Sequence, residues 1–200
     1  MNIRRAVFLG GNGTLVNGGS PGVRPERLQL VRGAGEALRL LRDAGFTFVV
    51  VSNRPGVARG EYEEAELASV AAGMKEALRS EGIGMLDFYY CPHDPHGLLR
   101  SYAVSCVCRK PMPGMLHRAA FEHDLDLARS WIVGDDLDDV EAGLRAGCRT
   151  VLVDGGAETE WRLNEQRLPH HVAESLEEAA RLILEDEHVL DWRERAAGVR

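Results

Sequence analysis

Two short pairs of metal-binding residue types lie close together in the middle of the chain. Cys91-Pro92-His93 and Cys106-Val107-Cys108 each follow a C-x-[HC] pattern. Thiols and an imidazole at this spacing are the ligands of a closed, tetrahedral Zn²⁺ site. Single buried cysteines are commonly inert packing residues, but paired cysteines beside a histidine seldom are. The pattern predicts a structural zinc loop over residues 91–108, with His96 as an alternative ligand to His93.

Zinc is a better interpretation of these cysteines than disulfide bonds. The N-terminus leads straight into a short apolar strand and lacks the features of a signal peptide, so we expect a cytoplasmic protein with reduced thiols. Zinc contributes roughly 10 to 16 kcal/mol of apparent binding energy in small peptides, so we expect the loop to be ordered only with metal bound. Cys148 lies apart from the others and is predicted to belong to the core.

Residues that could hold a phosphoryl group occur at two places, one after an apolar run and one after the second cysteine pair. Ser52 and Asn53 end an apolar run, where a hydroxyl and backbone N–H groups can cradle phosphate. Arg109 and Lys110 directly follow the second cysteine pair, whose closed loop would hold their positive charges rigidly. Taken alone, Ser52 and Asn53 could merely cap a turn, and basic residues are usually solvated. Their positions along the chain favour phosphate binding.

An acidic segment follows the apolar run Trp131-Ile132-Val133-Gly134. Asp135 comes directly at the end of this run and is predicted to bind Mg²⁺, which takes a few protein oxygens together with water. The alternative is an acidic helix start, because carboxylates are stabilised at helix N-termini. Both interpretations apply to Asp138 and Asp139.

The elements that must position these residues alternate between strand-like and helical patterns. The predicted strands and helices are 6–9, 35–44, 46–51, 61–80, 88–90, 114–123, 131–133, 137–146, 150–153 and 176–185. This alternation predicts an α/β fold, a doubly wound, Rossmann-like, three-layer arrangement with a parallel sheet of about five strands. In such sheets the loops after strands one, two and four converge on one crevice. Gly45 and Gly147 are expected to end helices, and Ser175 to cap the last one.

Length and charge limit the possible partners. The 200 residues, 44% of them hydrophobic, fit a single domain over 1–200 whose C-terminal helix and weakly patterned tail occupy about 174–200. A net charge of -7 argues against binding nucleic acid or an anionic membrane surface. No apolar run approaches the roughly 18 residues of a membrane span. Small phosphorylated molecules or proteins are the expected partners.

The chain's opening run Ala6-Val7-Phe8-Leu9-Gly10-Gly11-Asn12-Gly13-Thr14-Leu15 resembles the first motif of the haloacid dehalogenase (HAD) superfamily. With the Ser52, Lys110 and Asp135 motifs, the zinc pattern and Gly56-Val57-Ala58-Arg59-Gly60, residues 5–155 resemble its D-glycero-D-manno-heptose 1,7-bisphosphate phosphatase group, related to histidinol-phosphate phosphatase. The resemblance implies Mg²⁺-dependent hydrolysis of a phosphosugar. It implies that Ser52 and Lys110 stabilise the phosphoryl group, that Arg109 assists recognition, and that 18–21 and 52–55 contact substrate.

Three positions depart from that family. Gly10 and Asn12 stand where the family has two aspartates, so the resemblance implies that the nucleophile, one Mg²⁺ ligand and the acid/base group are missing. The backbone carbonyl of Asn12 could still bind Mg²⁺ at a weakened site. Asp136 stands where this group commonly has a lysine, and its negative charge would repel the family substrate. Thr14 is expected to lie beyond the turn and to offer no rescue.

Three functions remain open at this point. The first is a degenerate phosphatase, inactive or severely impaired, that still binds a phosphosugar or another phosphorylated ligand. The second is an active Mg²⁺-dependent phosphomonoester hydrolase whose first motif was mutated to trap substrate, or in which another group attacks. The third is a zinc-stapled structural or partner-binding protein.

Overall fold

The computed structural model describes residues 4–17, 28–154 and 164–196. Its strands and helices, in chain order, are β1 (Ala6–Gly10), α1 (Ala34–Asp43), β2 (Thr47–Asn53), α2 (Glu66–Ser80), β3 (Met85–Cys91), α3 (Gly114–His123), β4 (Trp131–Gly134), α4 (Leu137–Ala146), β5 (Arg149–Val153), β6 (His171–Ala173) and α5 (Leu176–Ala196). The segment 18–21 lies outside the described residues.

All the strands form one parallel sheet in the order β3-β2-β1-β4-β5-β6. The chain moves outward from β1 to β3 and then returns to add β4 on the other side of β1. The carboxyl ends of β1 and β4 therefore flank a topological switch point, where ligands bind in open α/β sheets. This confirms the predicted doubly wound α/β fold.

Alternation along the central strand separates two helical layers. Val7 and Leu9 belong to a buried cluster that includes side chains of α1, α2 and α5. Ala6 and Phe8 point to the other face and belong to a cluster with side chains of α3 and α4. Because side chains of a strand alternate between faces, a fully apolar β1 can fill both cores at once. The sheet is thus the middle of three layers.

The sheet has one strand more than expected. β6 is only three residues long and pairs with Val151–Val153 of β5. Too few residues alternate there to give a periodic signal. The strand also follows the least patterned stretch of the sequence.

Several helix ends follow their expected chemistry. Ser175 accepts a hydrogen bond from the backbone N–H of Glu178 at the start of α5, and Gly147 ends α4 with a φ of 80°. α2 begins at Glu66 rather than at residue 61, and α5 continues to Ala196 through the region predicted to be a weak helix or frayed tail. Among the described helices, none is long and apolar enough to cross a membrane.

Candidate functional site

The predicted metal-binding side chains come together in the loop that follows β3. Cys91, His93, Cys106 and Cys108 form one cluster, and the structure shows no disulfide among these cysteines. The Cys108 Sγ lies 3.3 Å from the Cys91 Sγ and 3.2 Å from the Cys106 Sγ. The His93 Nδ1 lies 3.4 Å from the Cys108 Sγ. His93, rather than His96, joins the thiols.

These separations fit a tetrahedral zinc ion. Zn–S bonds of about 2.3 Å set the sulfurs of such a site roughly 3.7 Å apart, slightly wider than the cluster observed. Burial raises the pKa of the Cys91 and Cys108 thiols. Burial also opposes ionisation of Cys106, but hydrogen bonds from its neighbours outweigh burial and lower its pKa. A bound cation would stabilise all three as thiolates, the form that ligates zinc.

The rest of the loop is held by a buried carboxylate. Asp94, 4% exposed, accepts hydrogen bonds at its Oδ2 from the Nε and Nη2 of Arg59 at 3.0 and 2.9 Å. Its backbone N–H donates to the Tyr102 carbonyl. The metal loop is therefore tied to the segment that follows β2.

A second set of possible ligands lies near the surface. Asp87, Glu122 and His123 come within ligand distance of one another. The Glu122 carboxylate already accepts hydrogen bonds from Tyr89 at 2.6 Å and from Arg118 at 2.8 Å. Its oxygens are therefore engaged within the protein.

The loop after β1, residues 11–16, lies at the switch point and is held by its own backbone hydrogen bonds. We call it the first-motif loop. The Gly13 N–H donates to the Val16 carbonyl, and the Val16 N–H to the Gly11 carbonyl. The Thr14 hydroxyl donates to the Asp135 Oδ1 at 2.6 Å. A Cβ added to Gly10 would lie only 2.6 Å from the same hydroxyl oxygen. The expectation that Thr14 lies beyond the turn was therefore wrong. Thr14 lies against the space that a side chain at residue 10 would enter.

Ser52 and Arg54 approach the same loop from β2. A Cβ added to Gly11 would lie 2.9 Å from the Ser52 Oγ and 3.4 Å from the Arg54 Nη2. Both side chains are 5% exposed. Ser52 thus lies beside the first-motif loop, as its position after β2 predicted, and Arg54 joins it.

Three other predicted phosphate-binding residues, Asn53, Arg109 and Lys110, form hydrogen bonds with protein atoms. The Asn53 Nδ2 donates to the Lys110 carbonyl at 3.0 Å, and the Lys110 N–H donates to the Asn53 Oδ1 at 3.0 Å. The Arg109 Nη1 donates to the His93 carbonyl at 3.0 Å. Asn53 therefore clamps the loop that carries Lys110, and Arg109 joins that loop to the metal cluster.

Lys110 forms a buried ion pair with Asp139, and the two side chains are 7% and 3% exposed. Burial raises the pKa of Asp139 to about 6, although the Lys110 ammonium opposes the shift. The sequence predicted either a Mg²⁺ ligand or an acidic helix start for Asp139, and neither interpretation included its pairing with Lys110. Its partner Lys110 lies 29 positions earlier in the chain, so no local pattern of the sequence could have found this pair.

The oxygens that remain for Mg²⁺ do not make a complete site. Gly10 offers no carboxylate, and one oxygen of Asp135 already accepts from Thr14. Asp139 is engaged by Lys110. Mg²⁺ is usually held by one or two carboxylates together with water and substrate phosphate. Among the described residues, Asp135 and the backbone carbonyl of Asn12 remain the predicted Mg²⁺ ligands, one carboxylate and one carbonyl.

Asp136 is exposed and serves as the N-cap of α4. Its Oδ1 accepts a hydrogen bond from the Asp138 N–H at 2.8 Å. The predicted acidic helix start is therefore present, with Asp136 as its N-cap. Asp135 instead points to the first-motif loop, where it accepts from Thr14.

A separate cavity of ≈ 940 Å³ opens beside these loops. Tyr62, Phe88, Tyr90 and Tyr102 contribute to its lining. Glu64 also lines it and accepts hydrogen bonds from Tyr90 at 3.1 Å and Tyr102 at 2.7 Å. Because its charged lining is acidic, this cavity is a poor place for a phosphate group, in contrast to the loops around Ser52 and Lys110.

Comparisons with known proteins agree with this arrangement. The HAD-hydrolase-like family matches residues 107–179, which together with the parallel sheet and its switch-point loops defines a HAD-type phosphatase scaffold. The D-glycero-beta-D-manno-heptose-1,7-bisphosphate 7-phosphatase of Yersinia pestis is 34% identical over 168 residues, covering 80% of this chain and 89% of the relative. The Escherichia coli K12 protein of the same name is 36% identical, covering 76% and 80%.

Solved structures point the same way. The D,D-heptose 1,7-bisphosphate phosphatase from B. bronchiseptica, complexed with magnesium and phosphate, superimposes with a TM-score of 0.75 at 30% identity. The alignment covers 91% of this chain and 99% of that one. The chain belongs to the heptose-bisphosphate phosphatase group of the haloacid dehalogenase superfamily.

Proposed function

We propose that this chain is a single-domain, zinc-stapled member of its family that binds a phosphorylated sugar or a related small phosphate ester but has lost ordinary turnover. The observation that carries the proposal is at Gly10. The residue has no side chain to attack phosphorus, and the Thr14 hydroxyl lies 2.6 Å from the position of the missing Cβ. The names of the heptose-bisphosphate relatives support the choice of a phosphosugar.

The size of the expected loss supports a binding role over catalysis. Removing a nucleophile costs about a million-fold in rate in well-studied hydrolases. General acid–base catalysis typically contributes about 10² to 10⁴-fold, and Asn12 has no carboxyl group to provide it near neutral pH. These two effects overlap, but either alone makes ordinary turnover negligible.

Binding requires less of the site than catalysis does. Ser52 retains its hydroxyl beside the first-motif loop, and the Lys110 loop is clamped in place by Asn53. Zinc in the cysteine cluster would have a structural role, since the four ligands leave no open coordination position. Mg²⁺ would bind only weakly, through Asp135 and the Asn12 carbonyl.

The proposal is tested with the zinc-loaded full chain and a panel of sugar phosphates that includes heptose bisphosphate. We expect calorimetric titration to detect binding of at least one phosphate ligand, and a phosphate-release assay with Mg²⁺ to stay at background. The absence of binding by every phosphate ligand, with and without Mg²⁺, would refute the binding role. Phosphate release by the unaltered chain at ordinary enzymatic rates would refute the loss of turnover.

A paired variant separates a natural binding protein from a substrate trap. Gly10→Asp together with Asn12→Asp restores both carboxylates. We expect this variant to remain near background, because the Thr14 hydroxyl has to leave Asp135 before residue 10 can carry a side chain. Full recovery of phosphate release would show instead that the remaining residues still form a working hydrolase.

A further inference from the structure

Arg54 is a buried cation whose binding edge has no partner. Its side chain is 5% exposed, and neither its Nε nor its Nη2 makes a hydrogen bond within the part of the chain that the structure describes. The backbone of Arg54 is held in position, because its N–H donates to the Cys91 carbonyl at 2.7 Å. Buried nitrogens without a hydrogen-bond partner are costly and rare, and a ligand can complete them.

The two unpartnered nitrogens lie on the same edge of the guanidinium plane. Their N–H bonds run side by side and match two oxygens of one phosphate or carboxylate group. The Nη2 lies 3.4 Å from the point where a Cβ on Gly11 would stand, and the Ser52 Oγ lies 2.9 Å from that point. Because Gly11 has no side chain, this edge and the Ser52 hydroxyl approach the same small region beside the first-motif loop.

The charge of Arg54 also lacks a counterion among the described residues. None of their carboxylates forms an ion pair with it, and its guanidinium carbon lies 5.9 Å from the centre of the Phe88 ring. Burial lowers the pKa of Arg54, while Tyr62, whose phenol lies within hydrogen-bonding reach of the guanidinium, raises it. The Nε and Nη2 nitrogens still have no hydrogen-bond partner among the described residues. An arginine keeps its proton in either case. The site therefore holds a positive charge that is not neutralised by a neighbouring acid.

Lys110 differs from Arg54 in this respect. Its ammonium is paired with the buried carboxylate of Asp139. The Asp139 carboxylate offsets part of the charge that Lys110 presents to an incoming anion, whereas no carboxylate among the described residues forms an ion pair with Arg54.

We propose that Arg54, rather than Lys110, is the principal anchor for the anion in this site, gripping a phosphoryl group side-on together with Ser52 and without a divalent metal. The inference rests on the proposed binding function and specifies how that function is carried out. Gly10 and Asn12 add no carboxylate to the first motif, which leaves Asp135, hydrogen-bonded to the Thr14 hydroxyl, as the acid that faces this loop. The charge that a metal ion would otherwise supply comes from the guanidinium.

The experiment measures inorganic phosphate binding to the zinc-loaded full chain in buffer without Mg²⁺, by equilibrium dialysis with labelled phosphate. The unaltered chain should bind, and Arg54→Gln should bind at least about tenfold more weakly, because it loses a charged, bidentate contact. Arg54→Lys should fall between them, since it keeps the charge without the fork. Arg181→Gln is the matched control: it removes an exposed arginine from α5 and should leave affinity unchanged.

A second measurement distinguishes binding from a structural role. If Arg54 serves the ligand, Arg54→Gln should unfold in urea at the same midpoint as the parent or at a higher one when phosphate is absent. Phosphate should then stabilise the parent but not the variant. A lower midpoint for Arg54→Gln without ligand would overturn the inference, because it would show that the guanidinium supports the fold.

The failures of the two proposals are distinguishable. If the unaltered chain binds no phosphate or sugar phosphate with or without Mg²⁺, the proposed function itself is wrong. If it binds phosphate and Arg54→Gln binds equally well, the binding function stands and Arg54 is not the anchor. Binding by the parent that depends on added Mg²⁺ would overturn the metal-independent step.

Discussion

The metal cluster and the switch-point crevice lie on joined loops, yet they differ in how complete they are. In the cluster, Cys91, His93, Cys106 and Cys108 are all present and within ligand distance. In the crevice, Gly10 has no functional group and a loop hydroxyl lies close to its empty position. The four candidate ligands bring together two parts of a long loop, whereas β1 is a buried apolar run that ends at Gly10. The candidate metal ligands are thus all present, while residue 10 has no group that could do chemistry.

The local structure around Gly10 supports this separation. The backbone hydrogen bonds of the first-motif loop are intact, and Gly10 keeps its place opposite Val51 in the sheet. The backbone scaffold of the crevice is therefore complete although residue 10 carries no side chain. Functional sites are where sequence rules and local stability most often disagree.

The largest effect should come from breaking the cluster. Cys91→Ser removes a thiol with no exposed surface, and we expect loss of the zinc ion and of the ordered loop. The scale is set by the roughly 10 to 16 kcal/mol of apparent zinc binding in small peptides. Zinc content by elemental mass spectrometry and melting temperature measure the effect. Cys148→Ala, at a buried cysteine outside the cluster, should keep its zinc, and equal zinc in both variants would contradict the assignment.

A smaller effect is expected from breaking the ion pair beneath the crevice. Lys110→Met leaves the Asp139 carboxylate buried without its counterion, which should cost about 3 to 5 kcal/mol in the free energy of unfolding. Urea denaturation measures it. Lys110→Met combined with Asp139→Leu should recover most of the loss, because no unpaired charge remains. Losses that simply add would show that the two side chains are not coupled.

The same pair predicts a dependence of stability on pH. Burial raises the pKa of Asp139 to about 6 in the folded protein, above the value of about 3.9 expected unfolded. The folded state then holds the proton more tightly, so this contribution to stability is present below about pH 4 and is lost as pH rises through 6.

The check compares the parent with Asp139→Asn, which resembles the protonated carboxyl. Relative to this variant, the parent's unfolding free energy should decline between pH 4 and pH 7. A constant difference over that range would show that Asp139 titrates at its ordinary pKa. Both proteins carry the same cluster, so any acid-induced loss of zinc cancels in the comparison.

The smallest effect concerns Asp136, the exposed cap of α4. Asp136→Ala should cost about 0.5 to 2 kcal/mol, because the Asp138 N–H loses its acceptor. Phosphate affinity should rise slightly at low salt, since a negative charge near the crevice is removed. Asp136→Asn keeps the cap and removes the charge, so it should retain stability and match the affinity gain. If both variants lose affinity, the charge of Asp136 contributes to binding.

Much of the fold could be predicted from the sequence because each core strand carries its own pattern. β1, β2, β4 and β5 are short apolar runs, and their helices alternate with them in the order that a parallel sheet requires. β6 could not be found in this way. Its three residues are defined by pairing with β5 and not by any local periodicity.

The site was predictable where residue types are specific and less so where the environment decides. Paired cysteines and a histidine indicate metal wherever they fold, and they do come together here. Arg54 lies in the segment 52–55 that the resemblance implied to contact substrate, but no sequence pattern assigned it a role of its own. Its burial depends on Phe88 and Tyr62, which come from later segments of the chain. The same is true of Thr14, whose contact with Asp135 joins residues 121 positions apart.

The clamp between Asn53 and the Lys110 backbone has a practical consequence for anyone measuring this protein. The clamped loop is also tied to the metal cluster through Arg109 and His93. We expect a molecule with an empty or oxidised cluster to bind ligand poorly in a titration, because the cluster no longer holds the loop that carries Lys110. The apparent number of binding sites per chain in a mixed sample falls with the fraction of competent molecules. Metal content should therefore be measured as part of the protein's concentration.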